Sequence, residues 1–317
     1  MIKIVAHSEA MREAIRLAER VAATDANVLV TGESGVGKDA VAFYIHSQSS
    51  RTAHSFVKID CGTLPAGLLE AELFGYERGA FTGASEEKPG RLEASHRGTL
   101  VLDEIAHLSI ESQAKLLRVI ETREFERLGG RKTIKVDARL IALTNVDLGD
   151  AVKRQQFRED LYYRLHVVHI NVPPLRERRE DLAELTQSFV DSYSAKHGRL
   201  VRAVSPEALA LLGEYEFPGN VRELANIVER AVIVSTGKEI ELDDLPEPIR
   251  VAVRLQRRHE RPQSLAEVEA EYVTEVLASA KGNKTEAART LGISRKNLYE
   301  KLARLKRDEG GSGKDDG

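Results

Sequence analysis

The sequence predicts an α/β protein with a parallel sheet covered by helices, followed by two smaller helical units. Short apolar runs typical of buried strands alternate with helical patterns through the first half of the chain, as expected for such a sheet. The runs of β-branched residues stop after Pro173-Pro174, and from Asp181 to Val234 the pattern is helical throughout. A basic helical segment comes last. The chain has 317 residues, which at about 100–200 residues per domain predicts two or three domains, and the three units fit this length.

Apolar runs separated by helical patterns are the predicted strands, and a helix over 11–21 precedes the first of them. Each run is too short for a helix and rich in β-branched or aliphatic residues. The runs are Asn27–Thr31, Phe56–Ile59, Thr99–Leu102, Arg139–Leu143 and Val167–Val172.

A change in composition marks the boundary before the last unit. Three prolines and five arginines between Pro246 and Pro262, with little periodicity, indicate a linker. We therefore expect an α/β unit over 1–172, a helical unit over 173–245, a linker over 246–263, a terminal helical unit over 264–309 and a disordered tail over 310–317.

The composition excludes several classes of protein. Cys61 is the single cysteine, so an internal disulfide and a Cys-based zinc or iron–sulfur cage are excluded. No apolar run approaches the roughly 18 residues that span a bilayer, and the N-terminus lacks a signal-peptide core. We expect a cytoplasmic protein. His166 and His169, the closest histidine pair, are expected on opposite faces of a strand, which argues against a metal site there.

A glycine-rich segment after the first strand predicts phosphate binding. It matches the pattern G-x-x-x-x-G-K between a strand and a helix, where backbone N–H groups and the helix N-terminus turn toward the phosphates. A glycine-rich turn without a ligand is the alternative. Asp39 stands where Ser or Thr would hold Mg²⁺ in the general pattern. The segment comprises Gly32, Glu33, Ser34, Gly35, Val36, Gly37 and Lys38, the last of which supplies a charge for the β- and γ-phosphates.

Two carboxylates follow a later strand. Asp103 and Glu104 come directly after the apolar run 100–102. Downstream of a phosphate loop, the first of such a pair orders Mg²⁺ and the second orients or activates the attacking water. An acidic pair at a helix start is the alternative. The sequence thus predicts ATP hydrolysis with ATP and Mg²⁺ bound, the metal at Asp103.

The basic C-terminal segment predicts DNA binding. Residues 281–307 hold nine Lys or Arg and two Glu, a local charge of +7 in a chain of net charge −3. A small-residue helix, a turn at Gly292 and a basic second helix are typical of a helix-turn-helix. A solvated basic helix is the alternative. The residues expected to face DNA are Ser294, Arg295, Lys296, Asn297, Tyr299 and Lys301.

Five motifs together resemble one family. They are GESGVGKD (32–39), GAFTGA (79–84), LDEI (102–105), FREDLYYRL (157–165) and FPGNVREL (217–224). The set resembles the bacterial enhancer-binding AAA+ activators that act on sigma-54 RNA polymerase, and the C-terminal segment resembles their Fis-type DNA-binding domain. The fold that this implies is a P-loop AAA+ parallel sheet with a helical lid subdomain, plus a small all-α helix-turn-helix domain. GAFTGA is the most specific of these motifs.

The resemblance implies a role for further residues. Asn145, after Thr144, would sense the γ-phosphate, and Arg222 would be the sensor arginine of the lid. Arg158 and Arg164 would be arginine fingers that reach a neighbouring subunit's site, which requires a head-to-tail ring. The loop of Gly79, Ala80, Phe81, Thr82, Gly83 and Ala84 would touch the sigma factor.

The resemblance also implies the partners. They are the sigma-54 RNA polymerase holoenzyme, upstream enhancer DNA and other copies of this chain in a hexamer. ATP binding and hydrolysis would move the loop at Phe81-Thr82 and convert a closed promoter complex into an open one. The chain begins almost directly at the first AAA+ helix, whereas family members often carry an N-terminal sensing domain. Control is therefore expected from a separate regulatory protein, from expression level or from a domain missing from this sequence.

Apart from the resemblance to the family, purely structural roles for these residues stay open. Arg158 and Arg164 could form a surface ion-pair network with Glu159, Asp160 and Glu177. Arg222 could be an exposed helical arginine without a useful partner. The Phe81-Thr82 pair could sit in a structural turn under the sheet.

Three positions depart from the family pattern. Asp39 replaces the usual Glu, and Phe217 replaces the usual Trp, which we expect to change packing only. Asp60 replaces an Asn that holds the catalytic glutamate until the partner is sensed. A carboxylate cannot donate an amide hydrogen bond to Glu104, so this switch position predicts altered coupling between hydrolysis and partner binding.

Two rival functions differ in class. One is a DNA-binding regulator of the same ancestry that acts on the housekeeping polymerase and no longer remodels sigma-54; the intact GAFTGA motif argues against it. The other is a general AAA+ unfoldase or chelatase subunit, and the terminal helix-turn-helix argues against that.

Overall fold

A computed structural model of the chain describes residues 4–260, 269–270, 272–274, 276–277, 280 and 282–302. The predicted disordered tail over 310–317 and residues 303–309 of the predicted terminal unit lie outside these residues. The strands are β1 (Val28–Thr31), β2 (Phe56–Asp60), β3 (Gly75–Tyr76), β4 (Lys88–Pro89), β5 (Thr99–Asp103), β6 (Glu124–Glu126), β7 (Thr133–Lys135), β8 (Arg139–Thr144), β9 (Val168–Asn171), β10 (Ala203–Val204) and β11 (Glu239–Ile240).

Helices follow most of these strands. The α-helices are α1 (Glu9–Ala22), α2 (Lys38–Ser47), α3 (Ala66–Phe74), α4 (Arg91–Ala94), α5 (Ile110–Thr122), α6 (Leu148–Lys153), α7 (Glu159–Leu165), α8 (Leu182–His197), α9 (Pro206–Glu214), α10 (Asn220–Val234), α11 (Glu247–Glu260) and α12 (Lys284–Thr290). Single 3-10 turns occupy Ile105–His107, Leu175–Glu177, Arg179–Asp181 and Leu242–Asp244.

The main sheet is parallel, as predicted, with the strand order β2-β5-β8-β1-β9. Its strands are buried on both faces because helices cover each side. Alternate residues separate two cores: Leu29, Leu100 and Leu140 pack with α3, α5 and α7, whereas Val28 and Ile141 pack with α1 and α2. The carboxyl ends of β1, β5 and β8 therefore meet at one edge, which is where ligands bind in open α/β sheets.

Two small antiparallel hairpins interrupt the α/β pattern. β3 pairs with β4, and β6 pairs with β7. The β3–β4 hairpin carries residues 79–84, and the two hairpins join where Leu128 donates its N–H to the Gly75 carbonyl at 2.9 Å. Strands of two or three residues have too few positions to show a period of two, so the sequence did not predict them.

A helical subdomain built on α8, α9 and α10 follows the sheet. Its core includes Val190, Leu212, Phe217 and Leu224, all buried. The prediction of helix throughout this stretch misses β10, which pairs with β11 in a parallel ladder of two residues each. Phe217 is buried at a positive φ of 48° and its ring meets that of Tyr215 edge-on at 5.0 Å.

The segment predicted as a linker is helical. α11 runs through Glu247–Glu260, and Ile249 and Val253, four residues apart, are buried. Pro246 lies before the helix and Pro248 in its first turn, where proline is tolerated, whereas Pro262 lies outside the described residues. A first compact unit ends at Ile249 and a second begins at Arg250. The boundaries of the predicted domains stay a prediction.

The second unit is small and helical. It contains α12, helical residues at 269–277 as far as they are described, and a helix over 295–302. Buried Ala287, Ala288 and Leu298 form its core together with Val273 and Val276. In the part of the chain that the structure describes, no helix is long and apolar enough to cross a bilayer.

Candidate functional site

The glycine-rich loop lies between β1 and α2 at the carboxyl edge of the sheet. Gly32 and Gly37 have φ of 147° and 102°, which L side chains rarely adopt. A Cβ on Gly35 would lie 2.3 Å from the Gly219 carbonyl oxygen, so the helical subdomain closely approaches the loop. No side chain caps α2 at Gly37. The first N–H groups of α2 therefore remain available to an anion.

Lys38 is folded over this loop. Its Nζ donates to the carbonyl oxygens of Gly32 at 2.8 Å and Glu33 at 3.1 Å, and the residue is 7% exposed. Burial lowers the pKa of Lys38, and the charges of Glu104 and Asp103 oppose this. The loop thus holds one buried ammonium group where phosphates would lie.

The two predicted carboxylates lie at the end of β5. Asp103 Oδ1 accepts the Glu104 N–H at 3.0 Å, and Glu104 has a left-handed backbone with φ of 52°. Glu104 Oε2 accepts the Asn145 N–H at 3.4 Å, at the end of β8. Strand β8 pairs with β1 on its other side. The structure therefore brings Lys38, Asp103, Glu104 and Asn145 together at one edge.

A lysine that the sequence interpretation did not single out lies between two carboxylates of this site. Lys58 Nζ is 2.8 Å from Asp103 Oδ2 and 2.5 Å from Asp39 Oδ1. Desolvation opposes the charge on Lys58, but hydrogen bonds to Asp103 and Asp39 outweigh it and raise the pKa of Lys58. Asp39, where the general pattern has Ser or Thr, is thus part of an ion-pair network.

The helical subdomain contacts the loop through polar side chains. Arg222 Nη1 donates to Ser34 Oγ at 2.9 Å, so Arg222 reaches the loop instead of lying free on its helix. Asn220 Nδ2 donates to Glu33 Oε2 at 3.0 Å. Arg176 donates to both Glu33 oxygens, at 2.6 and 2.9 Å. These bonds, chiefly that from Arg176, lower the pKa of Glu33 to about 2.

A buried arginine extends these contacts to the first helix. Arg178, 3% exposed, donates to the Val36 carbonyl and to Met11 Sδ. Asp181, fully buried, accepts the Ser8 N–H at 3.0 Å. The loop, α1 and the start of the helical subdomain are therefore held together by hydrogen bonds.

The Asp60 carboxylate hydrogen-bonds the backbone of its own turn and not Glu104. Its Oδ1 accepts the Gly62 N–H at 2.8 Å, and no hydrogen bond joins Asp60 to Glu104 among the described residues. A Cβ built on Gly62 would lie 3.4 Å from Asp60 Oδ1 and 3.8 Å from Glu104 Cβ. The side chains of Asp60 and Glu104 thus both lie beside Gly62, and the effect of Asp60 on coupling stays a prediction.

The two predicted finger arginines lie at the start and in the last turn of α7 and make ion pairs within the chain. Arg158 directly precedes α7, and its guanidinium group donates to Asp160 at 2.7 and 3.0 Å. Arg164 is exposed and lies 3.1 Å from Glu121. Of the described acidic residues, Asp160 was expected in the alternative ion-pair network and Glu121 was not. Both pairs are solvent-exposed and therefore weak, so they would release readily.

A cleft of about 490 Å³ opens beside Gly32 and Asn145. The prediction that His166 and His169 lie on opposite faces of a strand is wrong, because their rings are 4.9 Å apart. His166 directly follows α7, and only His169 belongs to β9. The alternation of side chains between the two faces of a strand therefore does not apply to this pair. His169 Nε2 lies 2.7 Å from Thr31 Oγ1, and burial lowers the pKa of His169.

The loop over 79–84 projects from the β3–β4 hairpin. Phe81 is 42% exposed, and its ring meets Tyr76 edge-on at 5.0 Å. Thr82 is exposed, and its hydroxyl has no hydrogen-bond partner in the part of the chain that the structure describes. Ala84 is buried and closes the loop, since its carbonyl accepts the Gly79 N–H at 2.8 Å. The loop therefore presents an aromatic ring and a free hydroxyl on an ordered base.

An arginine from the β6–β7 hairpin supports this base. Arg127 donates to both Glu93 oxygens at 2.8 and 2.9 Å and also lies 3.2 Å from Glu77 and Glu87. The hydrogen bond to Glu93 raises the pKa of Arg127. The hairpin that carries the exposed loop is thus linked to its neighbour by charge.

The second unit presents a polar helix face. Ser294 Oγ accepts the Asn297 N–H at 3.2 Å and caps the helix over 295–302. Residues 294–297 are exposed. Tyr299 is 54% exposed, with Lys284 Nζ 4.8 Å from its ring centre. Lys301 differs from these, because it is half-buried and pairs with Glu269 at 2.5 Å.

Sequence reasoning missed four polar residues of the nucleotide site, namely Lys58, Arg176, Arg178 and Asn220. Asn220 lies in the quoted FPGNVREL motif, and its φ of 52° is a conformation that Asn tolerates, so the Pro-Gly-Asn turn offered a signal. The others depend on contacts between distant segments that no local pattern records.

Comparisons with known proteins agree with this geometry. Residues 4–171 match the model of the sigma-54 interaction domain, residues 176–262 that of an AAA+ ATPase lid domain, and residues 264–305 that of the Fis family of bacterial regulatory proteins. The regulatory protein AtoC of Escherichia coli is 45% identical over 94% of this chain and 67% of its own. The transcriptional regulatory protein FlbD of Caulobacter vibrioides is 44% identical over 94% of this chain and 69% of its own.

Solved structures agree as well. NtrX of Brucella abortus in complex with ATP has a TM-score of 0.71 and 37% identity, covering 96% of this chain and 69% of that one. NtrX in complex with ADP has a TM-score of 0.73. The P-loop AAA+ sheet, the lid and the helix-turn-helix implied by the motifs are thus confirmed. The chain belongs to the family of sigma-54-dependent AAA+ transcriptional activators.

Proposed function

We propose that the chain uses ATP hydrolysis at the P-loop to move the loop at Phe81-Thr82 and so converts a closed sigma-54 RNA polymerase promoter complex into an open one. The exposed Thr82 hydroxyl, which has no hydrogen-bond partner among the described residues, beside an exposed Phe81 is the observation that carries this proposal. Purified protein with ATP should melt a sigma-54 promoter in the presence of the holoenzyme. Hydrolysis without melting would favour the rival regulator of the housekeeping polymerase.

Within the site, each residue has a proposed task. Lys38 leaves the carbonyl groups of the loop to contact the β- and γ-phosphates, and residues 32–39 surround them with backbone N–H groups. Glu104 orients and deprotonates the attacking water, since it lies beside Asn145 at the strand ends. Asn145 senses the γ-phosphate. Arg222 reports nucleotide to the lid because it already contacts Ser34.

The residues present fit Mg²⁺ at Asp103. Mg²⁺ prefers carboxylate oxygens and water, and Asp103 already attracts a cationic group, the ammonium of Lys58, at 2.8 Å. Asp39 and Glu104 provide further carboxylates beside it. When bound, Mg²⁺ would neutralise charge on the phosphates.

We propose a hexameric ring in which Arg158 and Arg164 complete a neighbour's site. Both guanidinium groups are exposed, and among the described residues they pair with surface carboxylates, so turning toward a neighbour costs little. A head-to-tail contact of this kind closes into a ring.

Replacing Arg158 with alanine is expected to lower ATPase activity about 10- to 100-fold, the size expected for a lost hydrogen bond to a charged phosphate. Mixing Arg158→Ala with Lys38→Ala subunits should restore part of the activity, since some interfaces then pair an intact loop with an intact finger. Steady-state ATPase assays of each variant and of the mixture measure this. Wild-type ATPase activity of the Arg158→Ala variant alone would contradict the role of arginine finger and would leave Arg158 as a member of a surface ion pair with Asp160.

We further propose that Ser294, Arg295, Lys296, Asn297 and Tyr299 contact upstream enhancer DNA. The capped N-terminus of the helix over 295–302 places these residues on an exposed face, as recognition helices require. Lys301 is the weakest member of the set, because its ammonium group already pairs with Glu269.

Replacing Lys296 with alanine should weaken binding to enhancer DNA about tenfold and reduce the slope of log affinity against log salt by about one, because one phosphate contact is lost. Fluorescence anisotropy over a series of salt concentrations measures both quantities. Lys153→Ala, an exposed lysine of the first unit, is the control. An equal loss in both variants would contradict the assignment of the DNA-binding face.

The setting of this activity is also a proposal. A cytoplasmic location suits a protein that acts on RNA polymerase and DNA. Control by a separate regulatory protein, by expression level or by a domain outside this sequence would each be compatible with the proposed activity.

A further inference from the structure

Lys58 lies in β2 with its side chain on the α2 side of the sheet. Phe56, two residues earlier and therefore on the same face, stacks edge-on against Phe43 of α2 with ring centres 5.3 Å apart. This face points Lys58 toward Asp39 in the first turn of α2. The register of β2 against β5 pairs Asp60 with Asp103, one pleat beyond Lys58. The ammonium group thus reaches the carboxyl end of β5, where Asp103 lies.

Both carboxylate oxygens of Asp103 are engaged. Oδ1 accepts the Glu104 N–H at 3.0 Å, and Oδ2 lies 2.8 Å from Lys58 Nζ. The Asp103 side chain is 16% exposed, so little of it is left open to solvent. A divalent cation or its water shell that approaches Oδ2 therefore meets the ammonium group of Lys58 already in contact with that oxygen.

We propose that Lys58 is a resident cation that competes with Mg²⁺ for Asp103 and so sets the Mg²⁺ concentration at which the site binds nucleotide in its metal-bound form. The proposal rests on the proposed binding of Mg²⁺ at Asp103. Lys58 would then determine how strongly nucleotide binding at this site depends on Mg²⁺.

Asp39 gives the displaced ammonium group a second anchor. Its Oδ1 is 2.5 Å from Lys58 Nζ, so Lys58 can leave Asp103 without losing its other partner. Lys38 does not take this role, because its ammonium group is bound to the carbonyl oxygens of the loop. The site therefore separates two lysines, one that serves the phosphates and one that occupies the position of the metal.

The test is equilibrium binding of a fluorescent, non-hydrolysable ATP analogue to the full chain while MgCl₂ is titrated. In Lys58→Met the Mg²⁺ concentration at half-maximal binding should fall about fivefold, the factor that a partly exposed ion pair corresponds to. Lys58→Gln should show the same fall. Lys58→Arg keeps the positive charge, and its midpoint should stay at or above that of the wild type.

A matched control removes an ion pair elsewhere. Lys88→Met breaks the pair with Glu72 and should leave the Mg²⁺ midpoint at the wild-type value. Thermal melting of each variant identifies those that are folded. A wild-type protein whose nucleotide binding ignores Mg²⁺ would overturn the proposed metal site itself. A wild-type protein that needs Mg²⁺, together with folded Lys58→Met and Lys58→Gln variants whose midpoint is unchanged or higher, would overturn the competition alone.

Discussion

Glu104→Gln is expected to lower the turnover of ATP by about 10³-fold while nucleotide binding stays near the wild-type level. A positioned general base contributes on the order of 10²–10⁴ to a rate, and glutamine cannot accept the proton from water. The amide keeps the shape of the side chain and the oxygen that accepts the Asn145 N–H at 3.4 Å. The nucleotide pocket should therefore stay intact. Single-turnover hydrolysis and equilibrium binding of a fluorescent ATP analogue measure the two effects separately.

Lys38→Ala is the contrasting variant. Its ammonium group is the buried cation of the loop, so its loss should weaken nucleotide binding itself. Glu111→Gln, in the first turn of α5, controls for loss of an exposed carboxylate that is not assigned to the nucleotide site. Full nucleotide affinity in Lys38→Ala would overturn the assignment of the phosphate loop. Normal turnover in Glu104→Gln would remove that residue from the role of base.

The residues that sequence alone could locate lie within single continuous motifs. The loop around Lys38 and the pair Asp103-Glu104 each follow an apolar strand, so local pattern and tertiary position coincide. Parallel strands then bring their carboxyl ends to one edge without further information. Residues whose partner lies in a distant segment could not be predicted in this way. Lys58, for example, meets Asp103 through the register of β2 against β5. Register is a property of the folded sheet.

Errors in the prediction have similar physical causes. The strand-like pattern of HVVHIN predicts His166 in a strand, whereas α7 extends to Leu165 and His166, which directly follows it, lies beside His169. The prolines and arginines over 246–262 led to the prediction of a linker where α11 forms. Its buried residues Ile249 and Val253 are four residues apart, as in a helix. The β3–β4 hairpin has two residues in each strand, too few for any periodicity.

The loop over 79–84 distinguishes a remodeller from a mere ATPase, because among the described residues none of its hydrogen bonds involves the residues assigned to hydrolysis. Phe81 is 42% exposed and rests against Tyr76, while the Thr82 hydroxyl is unpartnered among the described residues. Below them, the Gly79 N–H and the Ala84 carbonyl close the loop at 2.8 Å. The base is therefore fixed by backbone bonds, and the tip is available to a partner.

Thr82→Ala is expected to lower open-complex formation at a sigma-54 promoter by about 100-fold, the loss typical of a residue at the centre of an interface. ATP hydrolysis should stay near the wild-type rate, since no bond of the nucleotide site involves Thr82. Phe81→Ala should behave alike through loss of its aromatic contact area. Promoter melting followed by footprinting and ATPase assays on the same preparation measure both activities.

Two matched variants show whether the hydroxyl itself matters. Thr82→Ser keeps the hydroxyl and should retain most of the melting activity, whereas Ser85→Ala removes a neighbouring exposed hydroxyl outside the motif and should melt promoters normally. Thr82→Ala protein that melts promoters as well as the wild type would remove the loop tip from the mechanism. Thr82→Ala protein that loses hydrolysis in step with melting would instead indicate a structural turn, because a contact residue can fail without disturbing a nucleotide site built from Lys38, Asp103 and Glu104.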